Sequence, residues 1–275
     1  MELLRPSSLD DARAVLGDGA VALAGGTELV PLVRDRLVHV ERLVDVRGLV
    51  PRGIDGTRVG AGTTLAELEA SPEVPAALRE ACRLAASPQL RNVGTIGGNL
   101  LQATRCWYWR LDFPCWLHGG DRCHAREGQH REHAIFGNDR CASAHPSDPA
   151  AALLALGASV RTDRRELPLA ALYRLPTDDD RSTTTLEPGE LILELDVPQP
   201  DASTYLKAMD RKRYSFAIVG VAAARFGAEM RIALAGAAPI PWLLESLDDA
   251  TPLQGTAYKI QIAKALVERA RAALS

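Results

Sequence analysis

The chain has 275 residues, of which 47% are hydrophobic and 24% charged, and its net charge is −3. These values are typical of a globular protein with one large or two modest domains, and they give no reason to expect nucleic acid or an anionic membrane as a partner. The N-terminus shows no basic segment followed by an apolar one, and the most apolar run, 216–224, is too short to cross a bilayer. We therefore predict a cytoplasmic protein, with export alongside a partner left open.

The first predicted elements lead into a glycine-rich loop. A helix is expected over 7–16 with Ser8 as its cap, and a short buried strand over 21–23. The strand runs directly into Ala24-Gly-Gly-Thr-Glu-Leu29, behind which a helix can start near Leu29. Consecutive glycines let a ligand approach the main chain and let successive N–H groups face an anion, although a plain tight turn explains the same residues.

The next stretch alternates short strands with glycine-to-helix transitions. Strands are expected over 43–46 and 58–61, a capped helix start at 62–68, and an amphipathic helix over 75–86. Cys82 falls on the apolar face of that last helix, where a small core residue is the ordinary interpretation.

A second glycine-rich loop follows, Gly94-Thr-Ile-Gly-Gly-Asn99. It matches neither the dinucleotide fingerprint nor the phosphate-binding loop that ends in Gly-Lys-Ser/Thr. Together with 24–29, however, it predicts a site in which two loops hold one pyrophosphate from two sides.

The segment from Cys106 to Cys141 is dense in cysteine, and its spacing is Cys106-x8-Cys115-x7-Cys123-x17-Cys141. Three of the four tryptophans lie within it, and five of the six histidines lie between Cys106 and His145. Four thiolates are the usual ligands of a [4Fe–4S] cluster, whereas structural zinc sites generally use tighter Cys-x2-Cys pairs. A zinc site of mixed Cys and His ligands and a metal-free loop remain the alternatives. We also expect that so polar an insertion needs a staple to become ordered.

The remaining chain predicts alternating strands and helices. A helix is expected over 149–157, strands over 158–161, 191–197, 205–209, 218–225 and 230–234, and a long amphipathic helix over 256–274. The polar stretch 178–185 is predicted to be a solvated loop.

Several motifs together resemble the flavoprotein (medium) subunit of molybdenum hydroxylases, the group that includes xanthine dehydrogenase, carbon monoxide dehydrogenase and the aldehyde oxidoreductases. The likeness covers nearly the whole chain. The motifs that carry it are Ala24-Gly-Gly-Thr-Glu-Leu29, Gly60-Ala-Gly-Thr-Thr-Leu65, Thr95-Ile-Gly-Gly-Asn99, Ser147-Asp-Pro-Ala-Ala-Ala-Leu153, Arg213-Tyr-Ser-Phe-Ala-Ile-Val219 and Ala235-Gly-Ala-Ala-Pro-Ile-Pro241.

The cysteine segment narrows this resemblance, because most such subunits lack it. It is similar to the loop of the 4-hydroxybenzoyl-CoA reductase flavoprotein subunit and of some periplasmic aldehyde oxidoreductases, which binds an extra [4Fe–4S] cluster. The resemblance implies that Cys106, Cys115, Cys123 and Cys141 are the cluster ligands.

The resemblance also implies an α+β fold. A FAD-binding domain of the vanillyl-alcohol oxidase type is expected over 1–174, with subdomains of about 1–50 and 51–174 and the insertion at 101–146. A small α/β C-terminal domain is expected over 175–275.

By matching position, the resemblance implies the residues that contact FAD. No catalytic acid or base is expected among them. Phe216 stands where the carbon monoxide enzymes place a tyrosine, and with Ile192 it is expected near the isoalloxazine ring. The full expected set is Ala22, Leu23, Ala24, Gly25, Gly26, Thr27, Glu28, Leu29, Ala85, Ala86, Leu90, Gly94, Thr95, Gly97, Gly98, Asn99, Asp148, Ile192 and Phe216.

The implied function is electron transfer within an oxidoreductase complex. FAD here would exchange electrons with the [2Fe–2S] clusters of a small subunit, which serve a molybdopterin large subunit. It would also exchange them with the extra [4Fe–4S] cluster and with an external acceptor or donor, the acceptor being NAD, oxygen, a quinone or a ferredoxin. The alternatives are a stand-alone FAD-dependent reductase or oxidase and a zinc-stabilised interaction module without flavin.

Overall fold

The computed structural model describes all residues, Met1–Ser275, and folds them into three separate β-sheets with helices between and around them. The expected α+β class is confirmed. The strands in chain order are β1 (Glu2–Leu4), β2 (Ala20–Leu23), β3 (Arg42–Asp45), β4 (Ile54–Asp55), β5 (Arg58–Gly60), β6 (Ser159–Thr162), β7 (Glu166–Pro168), β8 (Ile192–Asp196), β9 (Ala202–Ala208), β10 (Val219–Phe226), β11 (Glu229–Ala235) and β12 (Trp242–Leu243).

The helices are short except at the C-terminal end of the chain. In order they are α1 (Leu9–Val15), α2 (Leu29–Arg34), α3 (Leu65–Ala70), α4 (Ala76–Leu84), α5 (Pro88–Arg91), α6 (Ile96–Leu100), α7 (Trp107–Arg110), α8 (His124–Glu127), α9 (Asp148–Ala155), α10 (Leu169–Leu172) and α11 (Tyr258–Leu274), with 3₁₀ turns at Trp116–His118 and Gln254–Thr256. No helix combines the length and the apolar character that crossing a membrane requires.

The first sheet is parallel, in the order β1-β3-β2. The Ser8 hydroxyl accepts from the Asp11 N–H at the start of α1, as expected for the cap. The loop after β2 leads directly into α2, so the first glycine segment lies at the carboxyl end of a parallel strand. Ligands commonly bind at this edge of a parallel sheet.

The second sheet is antiparallel, in the order β4-β5-β8-β6-β7. Its central strand is β8, which pairs with β5 on one side and β6 on the other. The domain boundary expected at residue 174 therefore does not match the sheets, because β8 lies beyond it and still completes the sheet of 54–168. A division near residue 200 agrees with the sheet membership, and we adopt it as our proposal.

The third sheet is antiparallel, in the order β12-β11-β10-β9, and α11 covers one face of it. The other face packs on α9, whose eight residues are all buried. Because α9 also contributes to the largest core cluster with α4 and the second sheet, it joins the C-terminal sheet to the rest of the molecule.

Candidate functional site

The two glycine-rich segments meet at one surface. A Cβ at Gly25 would overlap the Val93 carbonyl oxygen and stand 2.9 Å from the carbonyl carbon, and a Cβ at Gly94 would lie 3.3 Å from the Thr27 hydroxyl. Gly26 has φ +69°, in the left-handed region that glycine adopts readily. The structure thus brings together the loops that the sequence predicted to act on one ligand.

The second segment is not an open loop, contrary to expectation. Thr95 accepts from the Gly98 N–H and caps the short helix α6, so that Gly97, Gly98 and Asn99 are helical. Gly97 is required by packing, since its Cβ would come within 2.9 Å of the Ala61 Cβ. The motif at 60–65 supports this helix through two hydrogen bonds. The Ala61 carbonyl accepts from the Gly97 N–H, and the Thr63 carbonyl accepts from the Ile96 N–H.

The expected FAD-contacting residues differ in accessibility. The whole run 22–29 is partly exposed, and Ala86, Leu90, Gly98 and Phe216 are exposed. Asn99 is partly exposed and accepts from the Ser147 hydroxyl at 2.5 Å. Ala85, Gly94, Thr95, Gly97, Asp148 and Ile192 are buried.

Asp148 lies inside the core with both carboxylate oxygens engaged. One accepts from Tyr205 Oη at 2.5 Å and the other from Lys207 Nζ at 2.7 Å. Burial raises the pKa of Asp148, an effect that Lys207 opposes. Lys207 also donates to the Leu84 carbonyl at 2.9 Å. Asp148 therefore supports the turn at 84–86, while a direct contact with FAD stays a prediction, as does the placement of the buried Ile192.

Glu28 is the centre of an ion-pair cluster that sequence analysis did not predict. Its carboxylate accepts from Arg105 Nη2 and Arg110 Nη2, each at 2.5 Å, and from the Ala103 N–H at 3.2 Å. The cluster joins the first glycine segment to the start of the cysteine segment. Glu28 lies more than 70 positions from its partners in the chain, so no local sequence pattern could have predicted the cluster.

The four expected cysteine ligands line one cavity. Trp109, Trp116 and His124 also line it, and about 260 Å³ of atom-free space lies within it, some open to solvent. The fifth cysteine, Cys82, is fully buried in the main core, as its place on the apolar face of its helix predicted. The expectation that Cys82 is a small core residue is confirmed, and the ligand role of the other four cysteines stays a prediction.

The thiols differ in acidity. The Cys141 thiol donates to the Ser143 hydroxyl at 3.3 Å. Interaction between the thiols of Cys123 and Cys141 lowers the pKa of Cys123, and that interaction and burial raise the pKa of Cys141. Burial raises the pKa of Cys106 to about 11. His133 Nε2 lies 3.1 Å from Cys106 Sγ, within hydrogen-bonding distance. No three His, Cys, Asp or Glu side chains converge on a position for a single metal ion.

The cysteine segment is anchored to the C-terminal sheet by protein contacts. Phe136 is fully buried and stacks on Trp242 at 5.4 Å between ring centroids. Lys259 Nζ, from α11, donates to the carbonyl oxygens of Glu132, His133 and Gly236 at 3.1, 2.8 and 2.7 Å. The sequence analysis expected a bound metal to order this segment. It did not foresee these protein contacts, which come from residues more than 100 positions away in the chain.

The stretch 178–185 also contacts the cysteine segment, which its polar composition did not predict. Arg181 Nη1 donates to the carbonyl oxygens of Trp116 and Gly120 at 2.5 and 2.8 Å, and its guanidinium lies over the Trp116 ring. Trp116 Nε1 donates to Asp178 at 3.2 Å. This stretch thus packs against Trp116, which lines the cysteine cavity.

Comparisons with known proteins place the chain in a family. Residues 1–200 match the FAD-binding domain of molybdopterin dehydrogenases. The chain therefore belongs to this family, and it is a FAD-binding subunit of the molybdenum hydroxylase type of oxidoreductase.

Two curated relatives are similar over different extents. The aldehyde oxidoreductase FAD-binding subunit PaoB of Escherichia coli is 38% identical, over 84% of this chain and 78% of that protein. The carbon monoxide dehydrogenase medium chain of Afipia carboxidovorans is 43% identical, over 34% of this chain and 37% of that protein.

Solved structures extend the likeness to the whole chain. A chain of the Cu,Mo-CO dehydrogenase in its cyanide-inactivated form aligns with a TM-score of 0.67 and 26% identity, covering 99% of this chain and 98% of that one. The carbon monoxide dehydrogenase of Hydrogenophaga pseudoflava gives 0.68 and 26%, over 98% and 95%. The recognition from the sequence motifs is confirmed at the level of the family.

Proposed function

We propose that this chain transfers electrons between partner [2Fe–2S] clusters, its own FAD and an external acceptor or donor, and that its four clustered cysteines hold an additional [4Fe–4S] cluster. The observation that carries the proposal is the arrangement of two sites side by side. The abutting glycine segments and the cysteine cavity are joined directly through Glu28, Arg105 and Arg110. A chain that holds two redox groups at adjoining sites is suited to relay electrons.

The residues at the first site fit a flavin dinucleotide. Gly25 and Gly94 let the two glycine-rich segments approach each other closely, and the segment 22–29 is partly exposed along its length. Bound FAD accepts or releases electrons singly and in pairs, so it can connect one-electron clusters to a two-electron partner. The chain's own residues would bind and orient it, and no acid or base is required of them.

The residues at the second site fit an iron–sulfur cluster in ligand number and type. A [4Fe–4S] cluster takes one thiolate for each iron, so its four ligands surround a cavity instead of a point, and Cys106, Cys115, Cys123 and Cys141 surround one here. The His133 contact with Cys106 supplies the kind of hydrogen bond to sulfur that tunes a cluster's potential. Trp109 and Trp116 would exclude water from one side.

The partners are inferred from the relatives. Their names describe medium chains and subunits of dehydrogenase complexes. We infer a [2Fe–2S] small subunit and a molybdopterin large subunit as the partners, with NAD, oxygen, quinone or a ferredoxin as the external acceptor. We expect the cytoplasm as the compartment, since it keeps the five free thiols reduced.

The test is a cofactor assay on anaerobically purified chain. We expect about one FAD and about four irons per chain, because four thiolates serve one cubane cluster. Cys115→Ala should lose the iron and keep the FAD, whereas the matched variant Cys82→Ala should keep both, since Cys82 is a core residue.

Other outcomes separate the alternatives. FAD without iron after anaerobic reconstitution would contradict the cluster and leave the flavoprotein function, and stoichiometric zinc would replace the cluster with a zinc site. Steady turnover of NADH by the isolated chain, without a partner, would favour the stand-alone reductase.

A further inference from the structure

Arg105 occupies the point where three parts of the site meet. Its Nη2 donates to Glu28 in the first glycine segment at 2.5 Å and to Gln102 at 2.8 Å. Its guanidinium carbon lies 4.7 Å from the centroid of the Phe216 ring. The next residue along the chain is Cys106, so Arg105 stands at the start of the cysteine segment and reaches the flavin side.

The ion-pair cluster around Glu28 carries an excess positive charge. Two guanidinium groups, from Arg105 and Arg110, share the single carboxylate of Glu28. The side chains of Arg105, Arg110 and Glu28 are 30%, 18% and 17% exposed, so water compensates their net charge only in part. Because an uncompensated charge away from water is unfavourable, this cluster favours an anion beside it.

One donor of Arg105 has no acceptor. Its Nε–H is buried and makes no hydrogen bond, whereas Nη2 donates to both Glu28 and Gln102. A buried donor without a partner is rare in proteins and is commonly completed by a ligand or an ordered water. The free donor therefore belongs to an arginine of the same cluster that carries the excess positive charge.

We propose that Arg105 is a cofactor-positioning residue that donates its Nε–H to an anionic oxygen of the bound FAD. This inference rests on the FAD site proposed above and adds a residue from the cysteine segment to it. Two oxygens of FAD have the required chemistry. One belongs to the pyrophosphate and is always anionic, and the other is the pyrimidine carbonyl of the isoalloxazine ring, which gains negative charge on reduction. Glu28 and Phe216 are the neighbours expected near these two ends.

The contacts within the ion-pair cluster hold Arg105 in a fixed orientation. Glu28 holds one edge of the guanidinium, so the Nε edge keeps a fixed direction instead of turning to solvent. Arg110 binds the same carboxylate and the carbonyls of Ala103 and Thr104, which fixes Glu28 in turn. The cost of ordering Arg105 is therefore met before FAD binds.

The test uses the purified full chain, depleted of FAD, and the variants Arg105→Gln and Arg105→Lys. The matched control is Arg231→Gln, since Arg231 also pairs with a glutamate and lies over a phenylalanine ring, Phe226, outside the site. Three quantities are measured: the dissociation constant of FAD, the dissociation constant of ADP as a fragment with the pyrophosphate, and the two-electron midpoint potential of the flavin.

The two oxygens give different results, and either one supports the proposal. If the acceptor is the pyrophosphate, R105Q weakens FAD and ADP together, each by about tenfold, and leaves the potential unchanged. If the acceptor is the isoalloxazine oxygen, ADP binding is unchanged and the potential of R105Q falls, because the reduced ring loses a positive neighbour. R105K keeps the charge without an N–H at the same place, so its values should lie between wild type and R105Q.

The proposal is overturned if R105Q and R105K match wild type and R231Q in all three quantities. Should R105Q fail to fold, R105K alone decides, since it retains the charge that Glu28 needs, and wild-type values in R105K would refute the Nε contact. A wild-type chain that binds no FAD would instead refute the proposed function, so the two failures are distinguishable.

Discussion

The glycine segments and the cysteine segment obtain their structure from different parts of the chain. The first site depends on main-chain contacts within the first hundred residues, such as Gly25 against Val93 and Thr63 against Ile96. The second depends on α11 and the C-terminal sheet, with Lys259 bonded to a carbonyl 126 positions earlier. We therefore expect the two candidate sites, although the Glu28 cluster joins them, to be stabilised largely by separate parts of the chain. Variants that affect one site and leave the other intact test that independence.

The largest effect is expected from Phe136→Ala. Phe136 is fully buried in the C-terminal core, so its truncation should lower the free energy of unfolding by about 3–5 kcal/mol. Iron content should fall more than FAD content, because the cavity end of the segment loses its anchor. Urea unfolding and cofactor assays measure both, and the partly exposed Phe113→Ala should change the unfolding free energy by less than about 1 kcal/mol. Equal loss of both cofactors would contradict the separation of the sites.

The reverse selectivity is expected from Gly25→Ala. The added Cβ overlaps the backbone carbonyl of Val93, so the two glycine segments must separate at a cost of about 1–3 kcal/mol. FAD binding should weaken at least tenfold while iron content is retained. Gly48→Ala is the control, since a Cβ there meets nothing within 4 Å. Unchanged FAD affinity in G25A, measured by fluorescence titration, would refute the close approach of the two segments.

The sequence predicted the first site more fully than the second. The reason is that more of the second site depends on residues that are far apart in the chain. The turn at 24–29, the capped starts at Ser8 and Thr64, and the strands β9, β10 and β11 follow from local patterns, and the structure has them within a few residues. The four cysteines were predicted to act together because their type and spacing are visible. The Glu28 cluster, the Lys259 contacts and the packing of 178–181 depend on residues far apart in the chain, which no local pattern encodes.

A pH-dependent effect is expected from Lys259. Burial lowers the pKa of Lys259 to about 7, below the ordinary value of 10.5 that the unfolded chain restores. Between these values the unfolded state binds more protons than the native one, so stability should rise with pH, by up to about 1.4 kcal/mol per pH unit from this group. Below pH 7 the group adds no slope, because both states are protonated.

The measurement is urea unfolding of wild type and Lys259→Met at pH 7 and 9. The wild-type free energy of unfolding should increase relative to that of K259M over this interval. Parallel curves for the two proteins would show that the amine does not change protonation in this range. Hydrogen exchange at residues 132–133 should be faster in K259M, since their carbonyls lose a donor.

The smallest effect is expected from Arg181→Gln. The two carbonyl hydrogen bonds from Arg181 and its contact with the Trp116 ring are partly exposed, so the loss should be about 1–2 kcal/mol. The variant should bind FAD as wild type does and lose iron faster on exposure to air, because one side of the cavity is less covered. Arg161→Gln, an exposed pair with Glu194, should leave both properties unchanged. Wild-type iron retention in R181Q would show that 178–181 does not protect the cavity.

The Lys259 contacts also have a consequence for the order of events during protein synthesis. The cysteine segment leaves the ribosome well before α11, so through that interval the carbonyls of Glu132 and His133 have no ammonium to bind and the four thiols stand open. Completion of the cavity waits for the last helix. Insertion of the proposed [4Fe–4S] cluster would therefore follow translation, and the four thiols would stay without their ligand until α11 docks.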